Sequence, residues 1–488
     1  MSGELRHRRP GQGIFVLFLV LLVWTPIPLG SNRQWAWSVM EFATFALSAM
    51  WLLLFVFGRV KFPGAFRRAG WAVGLFAAWL ALVAVQVMPL PVEWVALISP
   101  ESAAMHALAG MPGRSSRATI SVDPSASWAF LLKSLAFFLA FCLTLVLVDR
   151  RDRLKVLMFV LVGSGLVQAI YASFMHLTGA SFDVFNSTYF HREYTVGTFI
   201  NRNHLAGYLE MTLAVGIGAM IATLRGVGVR TWRQRFRDWV AWVMSPKILL
   251  RLMLVVMVIA LVMTRSRMGN SAFFVSMLVA GAIGLLLSRH ATRQTVVLLA
   301  SLIAIDVVVV GAWFGVENVV QRIESTTMMK GEAGGEQSVE ERAEPAFYAL
   351  PYARTYPWVG SGGGTFYVVF PKYRTQEIVG FFDFVHNDYV QFAAETGVAG
   401  VALLGLLVLS TFLIALKTQY ERHDPLSRGA AFGVTMGIVS LMIHSWVDFN
   451  LQIPANALTF VVLLAMGWVA YSVERNHARA EESPGEPG

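Results

Sequence analysis

Long apolar stretches recur along almost the whole chain of 488 residues and constrain its fold more than any other feature. A stretch of 18 or more apolar residues can cross a hydrocarbon core of about 30 Å as a single helix. Only 14% of the residues are charged, whereas an ordinary soluble domain has about a quarter. The sequence therefore predicts an all-α polytopic membrane protein and disfavours a soluble enzyme.

The apolar stretches predict about twelve transmembrane helices. They cover about residues 14–29, 35–57, 70–88, 128–148, 154–176, 203–224, 248–264, 270–287, 294–314, 397–416, 429–447 and 454–473. Helices one to nine then occupy residues 1–314, a large loop occupies 315–396, helices ten to twelve occupy 397–474, and a disordered tail occupies 475–488.

The distribution of Lys and Arg predicts the orientation of these helices. Basic residues are concentrated in the segments that lie inside when the N-terminus is cytoplasmic, as the positive-inside rule requires. Both termini are then cytoplasmic, and segments 89–127, 177–202 and 315–396 lie on the opposite, periplasmic side. The basic run at 225–239 is a cytoplasmic loop against anionic lipid, so we do not predict a nucleic-acid site.

Several kinds of site lack support in this sequence. The single cysteine, Cys142, excludes a disulfide framework, a Cys-based metal site and a redox pair. No Asp-x-Asp motif is present, so a metal-dependent enzyme that uses a cytosolic nucleotide sugar has no support, and we predict no cofactor. The stretch GSGGGTF at 360–366 lacks the Gly-Lys-Ser/Thr of a P-loop and predicts a turn, or a close approach of the backbone to a glycan.

Polar residues cluster near the predicted periplasmic ends of the helices. Ionisable residues inside spans are costly and usually face a protein interior or a watery cavity; here they are Glu41, Lys133, Glu210 and Asp306. A cavity that opens to the periplasm accounts for most of these positions. The alternative is that Glu41, Lys133 and Glu210 form structural pairs, some of them with each other.

Arg202, Arg265 and Arg267 stand at predicted helix ends on the periplasmic side, where attraction to anionic cytoplasmic lipid does not explain them. The planar guanidinium group binds phosphate oxygens bidentately. Two such groups would hold a diphosphate and stabilise its charge as a bond to it breaks. The alternative is interfacial snorkelling. Arg342, in the large loop, is a further candidate for substrate contact.

His386 is the natural proton acceptor of this region, since its unperturbed pKa is about 6.5. A diphosphate leaves readily without a proton, whereas a sugar hydroxyl attacks poorly unless its proton is accepted. The alternative is a structural cap, and Asn387 and Asp388 are themselves good capping residues. Asn387 and Glu395 are candidate substrate contacts, although Glu395 could equally bind a neighbouring side chain.

The same residues carry a resemblance to a known family. His386 and Asn387, followed after nine residues by Gly397 and Gly400, resemble the signature of the bacterial O-antigen ligase family. NRNHLAGYLEM at 201–211, TRSR at 264–267 and GSGGGTFYVVFPKYR at 360–374 are similar to stretches of that superfamily in the same order. The resemblance covers about residues 120–400.

The resemblance implies a metal-independent, inverting glycosyltransferase of the GT-C type in the bacterial inner membrane. Such an enzyme transfers a glycan from undecaprenyl diphosphate at the periplasmic face. The matching positions make Arg202 and Arg265 diphosphate contacts, His386 the residue that activates the acceptor, and Arg267 a helper. For His204 we expect structural packing.

Alternatives remain for the acceptor and for the class of protein. A ligase acts on lipid A core, a polymerase on the next lipid-linked repeat unit, and a third branch on protein; the signature favours the ligase modestly. Outside enzymes, a lipid-glycan flippase or other transporter suits twelve helices. We find neither a repeat between the halves nor a set of midplane charges, which such transporters often have, and a structural scaffold would not need the polar clusters.

Overall fold

The computed structural model describes residues 11–110, 116–179, 194–223, 246–287, 339–374 and 382–481. These ranges are mainly helical, with one short antiparallel pair of strands, β1 (Leu90–Pro91) and β2 (Arg117–Ala118). The helices are α1 (Gln12–Trp24), α2 (Gln34–Val56), α3 (Gly64–Arg68), α4 (Gly70–Val87), α5 (Val92–Ile98), α6 (Pro100–Ala109), α7 (Pro124–Leu147), α8 (Arg151–Thr178), α9 (Arg202–Ala222), α10 (Pro246–Met263), α11 (Arg267–Leu287), α12 (Val339–Thr355), α13 (Phe366–Val369), α14 (Asp388–Glu421), α15 (Pro425–His444) and α16 (Pro454–Glu481).

Within the described ranges, nine helices are long and apolar enough to cross a membrane: α2, α4, α7, α8, α9, α11, α14, α15 and α16. Two shorter apolar helices, α1 and the Ile248–Met263 part of α10, accompany them. The prediction of an all-α polytopic membrane protein is confirmed. The helix predicted at 294–314, with Asp306, lies outside the described residues, so the count of twelve stays a prediction.

Two helix boundaries differ from those read from hydropathy. α14 begins at Asp388 rather than at 397, and its backbone leaves the helical region at Gly397 (φ 67, ψ −176). A search for apolar stretches does not detect the polar first turns of α14, although Asn387 is a good N-cap for them. α16 continues to Glu481 and so enters the segment predicted to be a disordered tail.

The centre of the bundle is formed by α9, α15 and α16. Their apolar windows are 89%, 72% and 100% buried, against 22% for α14. α9 and α15 approach so closely that a Cβ at Gly218 would overlap the carbonyl oxygen of Gly429. Small residues permit such close packing of membrane helices. This contact fixes α9 and α15 relative to each other at the end of the bundle opposite to the one where α9 and α14 begin, which is here called the upper end.

Glu41, Lys133 and Glu210, three ionisable residues inside the described spans, fall into two groups. Glu210 on α9 lies 2.5 Å from His444 Nδ1 on α15 and accepts a hydrogen bond from the Ser440 hydroxyl. Lys133 instead interacts electrostatically with Glu41 and Glu395. Glu41 and Lys133 are therefore near enough to interact electrostatically, although Glu41 Oε1 has no hydrogen-bond partner among the described residues, whereas Glu210 is bonded to a histidine from another helix.

The segment that ends in GSGGGTF packs on the break in α14. The amides of Val398 and Ala399 donate to the carbonyls of Pro357 and Trp358, at 2.8 and 3.2 Å. On the other side of the break, the Ala394 and Glu395 carbonyls accept from the amides of residues 361 and 362, at 3.0 and 3.1 Å. The loop thus satisfies backbone groups that an interrupted helix leaves without intrahelical partners.

Glycine is required where these two backbones touch. Gly360 and Gly397 both have positive φ, 72° and 67°. A Cβ at Gly360 would overlap the Glu395 backbone, and one at Gly397 would overlap the Trp358 backbone. A docked turn therefore accounts for glycine at these two positions in the sequence.

Gly397→Ala is expected to destabilise the protein by at least about 2 kcal/mol, because φ 67 with ψ −176 belongs to a region that is essentially restricted to glycine. The matched control is Gly405→Ala in the same helix, where an added Cβ meets nothing within 4 Å. Thermal unfolding of the purified protein in detergent measures both. A lowered midpoint for Gly397→Ala alone is the expected result, and equal midpoints for the two variants would contradict the docking role.

Candidate active site

Several helix ends meet at the upper end of the bundle. The Asp388 amide at the start of α14 donates to the Ser445 carbonyl just after α15, at 3.0 Å. The His204 carbonyl at the start of α9 accepts from Asn456 Nδ2 of α16, at 3.0 Å. Gly269, at the start of α11, packs between α9 and α15. Residues distant in sequence are thereby placed side by side.

His386 lies immediately before α14 in a left-handed backbone conformation, with φ 58. This conformation is uncommon for a residue other than glycine. Asn387 then caps the helix, because its Oδ1 accepts from the Val390 amide at 3.0 Å. Its Nδ2 donates to the Trp446 carbonyl at 2.8 Å. These contacts fix the turn that carries the imidazole, whose side chain is 17% exposed.

The buried carboxylate of Asp448 lies next to the imidazole of His386. Its Oδ1 is 3.9 Å from His386 Nδ1 and 3.6 Å from His204 Nε2. The Phe449 amide donates to Oδ1 at 2.8 Å, and Asn203 Nδ2 donates to Oδ2 at 2.5 Å. The carboxylate is therefore held in one orientation, in which it stabilises a positive charge on either imidazole.

The surroundings of Asp448 keep it ionised. Burial alone would raise the pKa of Asp448, but the neighbouring imidazoles of His204, His386 and His444 hold that pKa well below its usual range. The usual value is about 3.9, so the carboxylate is negative at every pH at which the protein would work. A proton accepted by His386 thus always faces a fixed negative charge.

Aromatic rings enclose this carboxylate and its histidines. The Phe449 ring lies 4.7 Å from the ring centres of both His204 and His386, at steep angles of 71° and 75°. The Phe384 ring stacks on the Phe449 ring, with their ring centres also 4.7 Å apart. Apolar walls lower the local dielectric and strengthen electrostatic interactions inside them. The aromatic enclosure therefore increases the effect of Asp448 on His386.

Arg202 is the first residue of α9 and is buried. Its guanidinium lies 4.3 Å from the ring centre of Tyr194, in a cation–π contact. The next two residues, Asn203 and His204, are the ones that contact Asp448. Arg202 therefore lies at the same end of the bundle as the His386–Asp448 pair.

Arg265 and Arg267 belong to the short connection between α10 and α11. Arg265 has a left-handed backbone, with φ 51, and Arg267 begins α11. Gly269 packs against Ala206, which lies about one turn beyond Arg202. The structure thus brings the three predicted arginines and His386 to one end of the bundle.

The other predicted contacts are placed differently. Asn387 acts as the helix cap described above. Glu395 is buried, and its Oε1 accepts from Gln391 Nε2 at 2.7 Å and from the Phe366 amide at 3.1 Å. It therefore holds the glycine loop rather than the arginines. Arg342 lies in α12, outside the residues whose side chains the structure describes. Substrate binding by these three residues stays a prediction.

Sequence reasoning missed Asp448 altogether. The residue stands in the short connection SWVDFN between two apolar helices. An acidic residue at such a position, on the same side as His386, is a detectable signal. Its partners, however, are 62 and 244 positions away in the chain, so only the packing of α9, α14 and α15 identifies them.

Residues 252–405 match the family model described as O-antigen ligase. This part of the chain is therefore similar to the O-antigen ligase family. It includes Arg265, Arg267 and His386, whereas Arg202 and Asp448 lie outside the matched range. No curated protein matches the chain.

The match to this family model supports a ligase- or polymerase-type glycosyltransferase role. The substrates of this family are, in general, lipid-linked glycans and lipid A core. The resemblance seen in the sequence is thereby confirmed at the level of the superfamily.

Proposed function

We propose that this protein is an O-antigen ligase that transfers a glycan from undecaprenyl diphosphate to a hydroxyl group of lipid A core. The reaction takes place at the periplasmic face of the bacterial inner membrane. The observation that carries this proposal is the contact between His386 and the buried, ionised Asp448. Arg202, Arg265 and Arg267 at the same end of the bundle supply the positive charges that a leaving diphosphate requires.

His386 accepts the proton of the acceptor hydroxyl. Its Nδ1 lies toward Asp448, 3.9 Å from Oδ1, which leaves Nε2 to face the hydroxyl. As the hydroxyl oxygen forms its bond to the anomeric carbon, the proton moves to Nε2 and Asp448 stabilises the imidazolium. The new bond forms on the face opposite the leaving diphosphate, so the configuration at the anomeric carbon inverts.

The arginines act on the leaving group. As the bond between the anomeric carbon and the diphosphate breaks, negative charge grows on the diphosphate oxygens. Arg202 and Arg265 donate hydrogen bonds to these oxygens, and Arg267 adds a third positive charge. Preorganised donors of this kind stabilise charge most strongly where it develops in the transition state. The guanidinium groups supply the charge that the departure needs, so the mechanism includes no metal ion.

The test is transfer by the purified protein in vesicles, with lipid-linked polymer as donor and lipid A core as acceptor. Transfer is expected to be unchanged by EDTA. Arg265→Ala is expected to lower the rate by about 10²-fold, as loss of one charge-stabilising donor does. Arg265→Lys should recover only part of it, because lysine keeps the charge but lacks the planar fork.

Arg67→Lys is the control for these variants. Arg67 is exposed on α3, which packs near Ser472 far along α16 from the upper end. The transfer rate of the Arg67→Lys variant should equal that of the wild type. Full activity of Arg265→Ala, or loss of transfer in EDTA with recovery on adding Mg²⁺, would contradict the mechanism. Elongation of lipid-linked repeat units without transfer to lipid A core would make the protein a polymerase.

A further inference from the structure

Trp446 is an exposed aromatic residue within a turn that carries Asp448 and whose other residues are buried or half-buried. Its side chain is 66% exposed, whereas Ser445 and Asp448 are buried. Single exposed apolar residues are common and need no special account. Trp446 is distinguished by its attachment, because its carbonyl accepts from Asn387 Nδ2 at 2.8 Å. It is thus fixed to the residue that follows His386.

The indole is also supported from one side. Its ring centre lies 5.5 Å from that of Tyr389, at an angle of 57°. The Tyr389 hydroxyl donates to the Met442 carbonyl at 2.8 Å, so this ring is itself held in place. The remaining surface of the indole faces outward. A preformed aromatic surface binds a ligand with little additional ordering cost.

The chemistry of such a surface suits a sugar. The face of an aromatic ring carries partial negative charge, and one face of many pyranose rings presents several polarised C–H groups. The sugar that bears the reacting hydroxyl must lie against His386. The Phe382 and Phe449 rings next to His386 are only partly exposed, whereas Trp446, joined to that segment through Asn387 and Tyr389, presents an exposed ring.

Resting on the proposed function, we infer that Trp446 stacks against a pyranose ring of the acceptor glycan next to the reacting hydroxyl. The competing role is that of an interfacial anchor, since tryptophan is enriched where membrane and water meet. The two roles differ in one respect: an anchor acts on lipid-attached substrate alone, whereas a stacking surface also binds a glycan that carries no lipid.

The test uses the full-length protein in vesicles and a deacylated core oligosaccharide as a competitive inhibitor. Trp446→Leu keeps an apolar side chain but removes the aromatic face. We expect it to raise both the KM for lipid A core and the inhibition constant of the oligosaccharide by about tenfold, while kcat changes by less than about threefold. Trp446→Phe should restore most of the binding. Trp94→Leu, on α5 with a similar exposure of 62%, is the matched control and should change neither constant.

An unchanged inhibition constant in Trp446→Leu would overturn the inference, and a raised KM for lipid A core alone would assign Trp446 to lipid anchoring instead. Failure of the proposed function is seen separately. If the wild-type protein transfers nothing to lipid A core, the proposed function fails and the inference falls with it. If the wild type is active and the variant binds the oligosaccharide equally well, the inference alone fails.

Discussion

Replacing His386 with alanine is expected to slow glycan transfer by about 10²- to 10⁴-fold, the range that a positioned general base contributes. The acceptor hydroxyl must lose its proton as it attacks. At the upper end of the bundle, among the described residues, His386 is the partly exposed imidazole that faces an ionised carboxylate. The single-turnover rate in vesicles measures the loss, and an immunoblot of the membrane fraction checks that the amount of protein is unchanged.

His386→Asn is the matched control for the backbone. Residue 386 has φ 58, and asparagine adopts the left-handed region more readily than alanine does. If the imidazole is what matters, both variants are equally slow while their thermal unfolding differs. A normal rate in either variant would remove His386 from the mechanism.

Asp448→Asn is expected to lower kcat by about 10²-fold, with the KM for the donor changed only a few-fold. The amide keeps the size of the carboxylate but loses the negative charge that stabilises the imidazolium of His386. Because the pKa of Asp448 is held below its usual range, its ionised form stabilises the fold above the unfolded-state pKa of about 3.9. This contribution of Asp448 to the free energy of unfolding is lost only as the pH falls below about 3.9. At neutral pH the Asp448→Asn variant therefore lacks the whole of this stabilising contribution.

Asp388→Asn separates this effect from general destabilisation. Asp388 is as deeply buried as Asp448. Its carboxylate accepts hydrogen bonds from the Ser445 hydroxyl at 2.8 Å and the Leu451 amide at 3.0 Å. It ties α14 to the segment after α15, so its variant should lose folded protein while the remaining protein keeps its kcat. If Asp448→Asn behaves in the same way, with kcat preserved, its role is structural.

The sequence was most informative where membrane physics leaves few choices. A long apolar stretch in lipid must form a helix, because every backbone polar group needs an internal partner. The distribution of basic residues assigns the helix ends to one side, which places Arg202, Arg265 and His386 together. Their meeting at the upper end follows from this shared side together with the close packing of α9 against α15.

The remaining features depend on contacts that no local pattern contains. The partner of Glu210 is His444, 234 positions away, and hydropathy gives no sign of this pairing. The start of α14 at Asp388 was missed because a loop of the same chain, not lipid, covers its first turns. Gly397 was recognised as part of a signature, but its physical role became clear only from the backbone of Trp358 lying against it.

The most direct test of the central claim compares surface lipopolysaccharide and the undecaprenyl-linked pool in a strain that lacks this protein. The strain is complemented with either the wild-type gene or the His386→Ala variant. We predict that the deletion and the variant leave long polymer on the lipid carrier and bare core at the surface, and that the wild type restores the polymer-bearing ladder. An unaltered ladder in the deletion strain, or core that carries a single repeat unit, would contradict the assignment as ligase.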